Sequence, residues 1–196
     1  MNREASIDRK TKETEISLTL NLDTRGPSTI HTGIPFMDHM LTLMASHGFM
    51  TLDLEAKGDT EVDDHHTVED LGICLGQAIE TALGDRGGIR RYGEAYVPMD
   101  EALARVVLDI SNRPLLAYRV PLDQSRSGEF DIGLIREFFR ALTIHSGITL
   151  HIDLLFGDEP HHASEAVFKA FGKALDHATA MDTRLDGDLP TTKGVF

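Results

Sequence analysis

The sequence has few of the devices that would place a chain outside the cell or in a membrane. It has one cysteine, Cys74, so no intrachain disulfide can form and a reducing compartment fits. Cys74 falls on the apolar face of a predicted helix and reads as core, not as a nucleophile. No apolar run approaches membrane-spanning length, and the first fifteen residues are polar with no apolar signal core. The expectation is a cytoplasmic protein. Basic residues are scarce: 19 Lys and Arg against 32 Asp and Glu give a formal charge of −13. That balance argues against nucleic acid or an anionic membrane as partner, and an anionic substrate would need locally clustered Arg and Lys. Low-complexity tracts are missing and hydrophobic residues reach 41%, which argues against disorder. At 196 residues the chain can bury a sizeable core, as one domain or as two fused halves.

What is present is a repeated pentapeptide. His-His-x-x-Glu occurs as His65-His66-Thr67-Val68-Glu69 and as His161-His162-Ala163-Ser164-Glu165. Each copy follows an acidic, turn-prone stretch and opens an apolar-periodic segment, so each is expected in the first turn of a helix. There the first His and the Glu share one face, while the second His points about 100° away. One face therefore offers an imidazole and a carboxylate to one ion, leaving the neighbouring imidazole for another. Asp63 and Asp64, before the first doublet, read as helix-capping acids slightly ahead of supports for the ligands.

The repeat extends well beyond the doublets. Phe36–Leu54 aligns with Leu134–Ile152, which sets His39 over Glu137, His47 over His145 and Leu52 over Leu150. Upstream, Glu13–Gly26 aligns with Glu101–Pro114, placing Glu13 over Glu101 and Arg25 over Arg113. The chain reads as two copies of one module, residues 10–92 and 98–182, together forming a single domain over 1–196. Alternation predicts strands at 16–22, 51–57, 102–110, 115–121 and 148–155. Helical spacing predicts helices at 35–47, 65–83, 132–146 and 162–181. This order implies an α+β fold in which each half carries a small sheet with its helices on one face.

Two doublets at matched positions, each with Glu at the same offset, point to metal binding, whereas a lone helical His would not. His39 and Glu137, at matched places on the preceding helices, each add one candidate ligand. Imidazoles with carboxylates favour Mn, Fe, Zn or Co over Ca or Mg, and leave the choice among the first four open. For an anion the candidates are Arg91, after the turn Asp85-Arg86-Gly87-Gly88, Arg113 in Ser111-Asn112-Arg113-Pro114, and Lys193 in Thr191-Thr192-Lys193-Gly194. The same ligands would also suit a dinuclear hydrolase or a non-catalytic metal-binding shell, although the latter has no use for clustered Arg and Lys.

The stretches Thr32-Gly33-Ile34-Pro35-Phe36-Met37-Asp38-His39-Met40, Asp63–Asp70 with the first doublet, Ser111–Pro114, His161–Ala170 and Thr191–Gly194 resemble those of imidazoleglycerol-phosphate dehydratases. The resemblance covers nearly the whole chain. It implies a hydro-lyase of histidine biosynthesis that converts imidazole glycerol phosphate to imidazole acetol phosphate. It implies a duplicated fold similar to the second domain of ribosomal protein S5, two Mn ions per active site, and a 24-subunit homo-oligomer with active sites between subunits. Carried over by position, one metal would be held by His39, His66, His161 and Glu165, and the other by His65, Glu69, Glu137 and His162. Glu137 stands where some members carry His. The implied substrate contacts are Glu13, His47, Arg91, Arg113, Thr191 and Lys193, the basic ones suited to phosphate. Taken alone, Glu13 reads equally well as a solvated strand-edge charge. The resemblance makes it the first candidate for general base and acid, with His47 or a metal-bound water assisting.

Overall fold

A computed structural model describes residues 3–122 and 125–194. Its first unit runs β1 (Glu4–Lys10), β2 (Thr14–Asn21), β3 (Thr29–His31), α1 (Pro35–His47), β4 (Thr51–Gly58) and α2 (His65–Leu83). The second runs β5 (Tyr92–Met99), β6 (Ala102–Asp109), β7 (Leu115–Arg119), a short hairpin of β8 (Arg126–Ser127) and β9 (Phe130–Asp131), α3 (Leu134–Ser146), β10 (Thr149–Phe156) and α4 (Pro160–Thr179). The two main sheets have the same topology, β1-β2-β4-β3 and β5-β6-β10-β7. In each, three antiparallel strands are joined by one parallel edge strand, reached through a crossover helix. The α+β duplication read from the sequence is therefore the observed architecture. The register agrees too: Leu18 pairs with Leu54 in one sheet, and Val106 with Ile152 in the other.

The helices form where apolar spacing and end signals agree. Pro35 and Pro160 occupy first-turn positions, where a missing N–H costs nothing. Gly147 closes α3 in the left-handed region at φ 70°. Asp64 precedes α2 without a capping bond; its neighbour Asp63 accepts from the His65 backbone N–H instead, at 2.8 Å. At α4 the cap is Glu159, which accepts from the His162 N–H at 2.7 Å. β1, β3, β5 and the hairpin were not predicted from the sequence.

The four helices lie between the two sheets, and they pair across the halves. α1 packs on α4, and α2 on α3, so one continuous core joins the units. Both crossings depend on a glycine. A Cβ on Gly172 would stand 2.3 Å from the Met44 carbonyl oxygen, and one on Gly76 would stand 2.6 Å from the Leu142 carbonyl oxygen. Met44 and Leu142 are repeat counterparts, so the same close approach is built twice. Around the α3–α4 side, Phe138, Phe139, Phe168 and Phe171 pack ring against ring with centroids 5.1–5.6 Å apart. Cys74 is buried in this core, and burial pushes its thiol up to about 11, which fits an inert residue. No helix among the described residues is long and apolar enough to cross a membrane.

Candidate active site

The pairing of α1 with α4 brings together residues far apart in sequence. His39 Nε2 from α1 and His161 Nε2 from α4 lie 3.2 and 3.0 Å from the same oxygen of Glu165. These three are the one group among the described residues whose ligand atoms all fall within 4.8 Å of one another. The four-residue spacing of His161 and Glu165 does what helical geometry predicts. His39 joins them from the other half of the chain. Burial alone would raise the Glu165 carboxyl, but the Lys169 ammonium, 2.6 Å from its second oxygen, and the two imidazoles outweigh it and hold it at about 2. An ionised carboxylate and two imidazoles converging on one point are a donor set for a transition-metal cation.

The hairpin, which was not predicted, supports this group. Phe130 stacks on Phe36 at 4.5 Å, Phe36 meets the edge of the His161 ring, and Ser127 Oγ lies 3.4 Å from His161 Nδ1. The ring thus presents Nε2 to the site. No spacing signal in the sequence marked Ser127 or Phe130.

A second group repeats the plan with the halves exchanged: His65 and Glu69 from α2, Glu137 from α3. Here Arg140 stands between the carboxylates, donating to Glu69 at 2.7 Å and to Glu137 at 2.6 Å, while His65 Nε2 is 3.8 Å from Glu69. A guanidinium therefore bridges this pair and offsets one of its two negative charges, and each carboxylate, Glu137 most, raises the Arg140 pKa. The remaining doublet residues turn elsewhere. His66 Nδ1 lies 3.1 Å from Asp59, and His162 Nδ1 lies 2.9 Å from Glu101. These bonds raise both imidazoles above the ordinary value of 6.5. Within one chain, then, each expected quartet has three members on one helix pair, and its fourth, His66 or His162, is held apart.

The anion candidates also converge. Arg91, Arg113, Thr191 and Lys193 line one open cavity of about 650 Å³. Arg91 is buried and anchored: its guanidinium donates to both oxygens of Asp109, at 2.7 and 3.1 Å, and to the Pro190 carbonyl at 2.9 Å. The last bond ties the C-terminal segment to the pocket. Arg113 is more exposed, 3.7 Å from Asp109. Glu13 lies on a different, shallower cavity beside Asp59, where its carboxylate is exposed. His47 ends α1; burial, then the charges of Lys169 and Lys173, lower its pKa and favour the neutral ring.

The imidazoleglycerol-phosphate dehydratase family profile matches residues 32–175, which include both doublets and all of the four helices but the last turn of α4. The chain belongs to this family. It is 56% identical over 192 residues to the imidazoleglycerol-phosphate dehydratase of Paraburkholderia phymatum, covering 98% of each chain. Its identity to that of Pelobacter propionicus is also 56%, over 196 residues and the full length of both. Among solved structures it is similar to the enzyme of Staphylococcus aureus, with a TM-score of 0.83 at 42% identity, covering 91% of this chain and 99% of that one. The Pyrococcus furiosus enzyme gives the same TM-score at 35% identity over 97% and 100% of the two chains. The chain is thus a hydro-lyase of histidine biosynthesis that dehydrates imidazole glycerol phosphate.

Proposed function

We propose that the conversion of imidazole glycerol phosphate to imidazole acetol phosphate by this chain requires two divalent cations, Mn²⁺ first among them. His39, His66, His161 and Glu165 would hold one; His65, Glu69, Glu137 and His162 would hold the other. The observation that carries this reading is the convergence of His39, His161 and Glu165 on a single point. Bound cations would stabilise negative charge that develops on the substrate's imidazole.

The chain's own groups supply the rest. Arg91, Arg113, Thr191 and Lys193 bind the phosphate in their common cavity, and the buried Arg91–Asp109 pair fixes one guanidinium in place. Glu13, exposed beside His66, takes the proton from carbon as the neighbouring C–O bond breaks. That proton and the departing hydroxyl leave as water. The enol left behind becomes the ketone by moving its O–H proton to carbon, with His47 contributing as a neutral imidazole. Arg140 must release Glu69 and Glu137 for the second site to form.

We also propose that the active site is shared between copies in a homo-oligomer, a 24-subunit shell. Three donors of each set lie together while the fourth faces elsewhere, and Glu13 and the phosphate cavity line separate surfaces. Exposed Tyr96, Leu115 and Phe156 give the second half an apolar exterior suited to contact with further copies. A cytoplasmic location suits the buried free thiol of Cys74. The test is chelation followed by add-back of Mn²⁺, Zn²⁺, Fe²⁺ or Co²⁺, with metal content and ketone formation measured together. Loss of turnover on chelation and recovery with Mn²⁺ is expected; unaltered turnover after complete removal overturns the reading.

A further inference from the structure

The two halves solve one problem in different ways. In each, the second His of the doublet is held through Nδ1 by a carboxylate from its own half, which leaves Nε2 turned away from that partner. In the first half the partner is Asp59, directly after β4, with its two oxygens 3.1 and 3.2 Å from His66 Nδ1. In the second it is Glu101, in the β5–β6 turn, 2.9 Å from His162 Nδ1; Glu159 at 3.8 Å from Nδ1 and Asp100 at 3.8 Å from Nε2 lie farther off.

These two acids are not repeat counterparts. The counterpart of Glu101 is Glu13, whose carboxylate makes no hydrogen bond or ion pair among the described residues. β10 bulges between Leu154 and Phe156 where β4 runs straight, so Gly157 faces Ala102 as Gly58 faces Thr14. The register counterpart of Asp59 is therefore Asp158. Of the acids after β10, Glu159 is engaged as the cap of α4, accepting from the His162 backbone N–H at 2.7 Å with its carboxylate 3.8 Å from Nδ1. Glu101 is the carboxylate that reaches the ring. In the first half Asp59 does that task. Its backbone N–H also donates to the Glu13 carbonyl at 3.1 Å, which keeps the two acids side by side.

We propose that Asp59 and Glu101 are positioning residues for His66 and His162, each accepting the Nδ1 proton so that Nε2 becomes the metal donor. By taking this role in the first half, Asp59 leaves Glu13 free to move protons. The inference rests on the metal-dependent reading above, and it explains why only one of two equivalent glutamates is left unpaired. Carboxylates behind ligating imidazoles fix the tautomer and ring direction, and their loss weakens metal binding about 10–100-fold.

The test uses the intact full-length enzyme and reads Mn²⁺ affinity by competition with a chelating dye, independently of turnover. Asp59→Ala and Glu101→Ala are expected to weaken binding about 10–100-fold. Glu13→Ala, although its position is equivalent to Glu101, should bind Mn²⁺ as the wild type does. Asp59→Asn keeps an acceptor oxygen and should recover part of the loss, with the metal-free melting temperature following wild type. Affinities of Asp59→Ala and Glu101→Ala within twofold of wild type overturn the assignment. So does a Glu13→Ala loss equal to that of Glu101→Ala, or a loss in Asp59→Ala that Asp59→Asn does not partly recover. Wild-type enzyme that takes up no Mn²⁺ overturns the metal reading and this inference together, whereas unchanged variants of a metal-binding wild type overturn this one alone.

Discussion

Glu165 is the residue on which the most charge converges. Its side chain and that of Lys169 are only 10% and 13% exposed, so their contact is poorly screened by solvent. Removing the carboxylate would strand the Lys169 charge. Glu165→Gln is therefore expected to destabilise the metal-free chain by on the order of 3 kcal/mol and to abolish tight Mn²⁺ binding, as read by melts in chelator and by metal titration. The pH dependence follows from the sign of the shift. The carboxyl titrates at about 2 when folded against an ordinary 4.5, so its contribution is complete above pH 4.5 and is lost as pH falls towards 2. Acid melts of wild type and Glu165→Gln should converge over that window; parallel curves would remove Glu165 from the acid response. For Glu13→Gln the expectation is kinetic: retained binding of substrate, with turnover lower by about 10²–10⁴-fold. Near-wild-type turnover would exclude Glu13 as the proton-transfer group. At this scale the sequence was informative about ligand types, because the four-residue spacing of His and Glu in a helix places them together. It carried no sign of Ser127, Phe130 or Arg140, whose roles depend on contacts between elements.

At the scale of elements, the crossing of α1 with α4 fixes where His39 meets His161 and Glu165. The limiting contact is Gly172 on the Met44 carbonyl, a backbone group that cannot turn aside. Gly172→Ala is expected to cost about 1–3 kcal/mol through overpacking and to weaken Mn²⁺ binding by separating the two helices. Gly76→Ala should cost a similar amount at the α2–α3 crossing. Thermal melts with parallel metal titrations check both, and a Gly172→Ala protein of unchanged stability and affinity would show that the crossing tolerates a wider spacing. The four helices were legible from apolar spacing that persists over three or more turns. The edge strands β1 and β5 were not: β1 has just one fully buried residue, Ala5, and the buried face of β5 is built from the small residues Gly93 and Ala95 with Val97, a weak apolar alternation. β3 and the β8–β9 hairpin are too short for any period to register.

At the scale of the whole molecule, the separation of His66 from the His39–His161–Glu165 group makes a distinct demand. If copies share sites, His66→Ala and His161→Ala chains, each inactive alone, should regain a fraction of wild-type turnover when unfolded, mixed and reassembled together. Sites contained in one chain would give no recovery, so an inactive mixture of intact assemblies rules out sharing.

The sequence by itself determined the duplication, the α+β class, the helices that carry both doublets and the residue types able to bind a cation or a phosphate. These follow from local periodicity and from the matching of one half against the other. Only the tertiary structure decided that helices pair across the halves, that Arg140 stands between Glu69 and Glu137, and that Asp59 in one half does what Glu101 does in the other. Local pattern records which face of an element is apolar. Which element covers that face depends on closing a common core between sheets distant in sequence, and on where a glycine such as Gly172 leaves no room for a side chain.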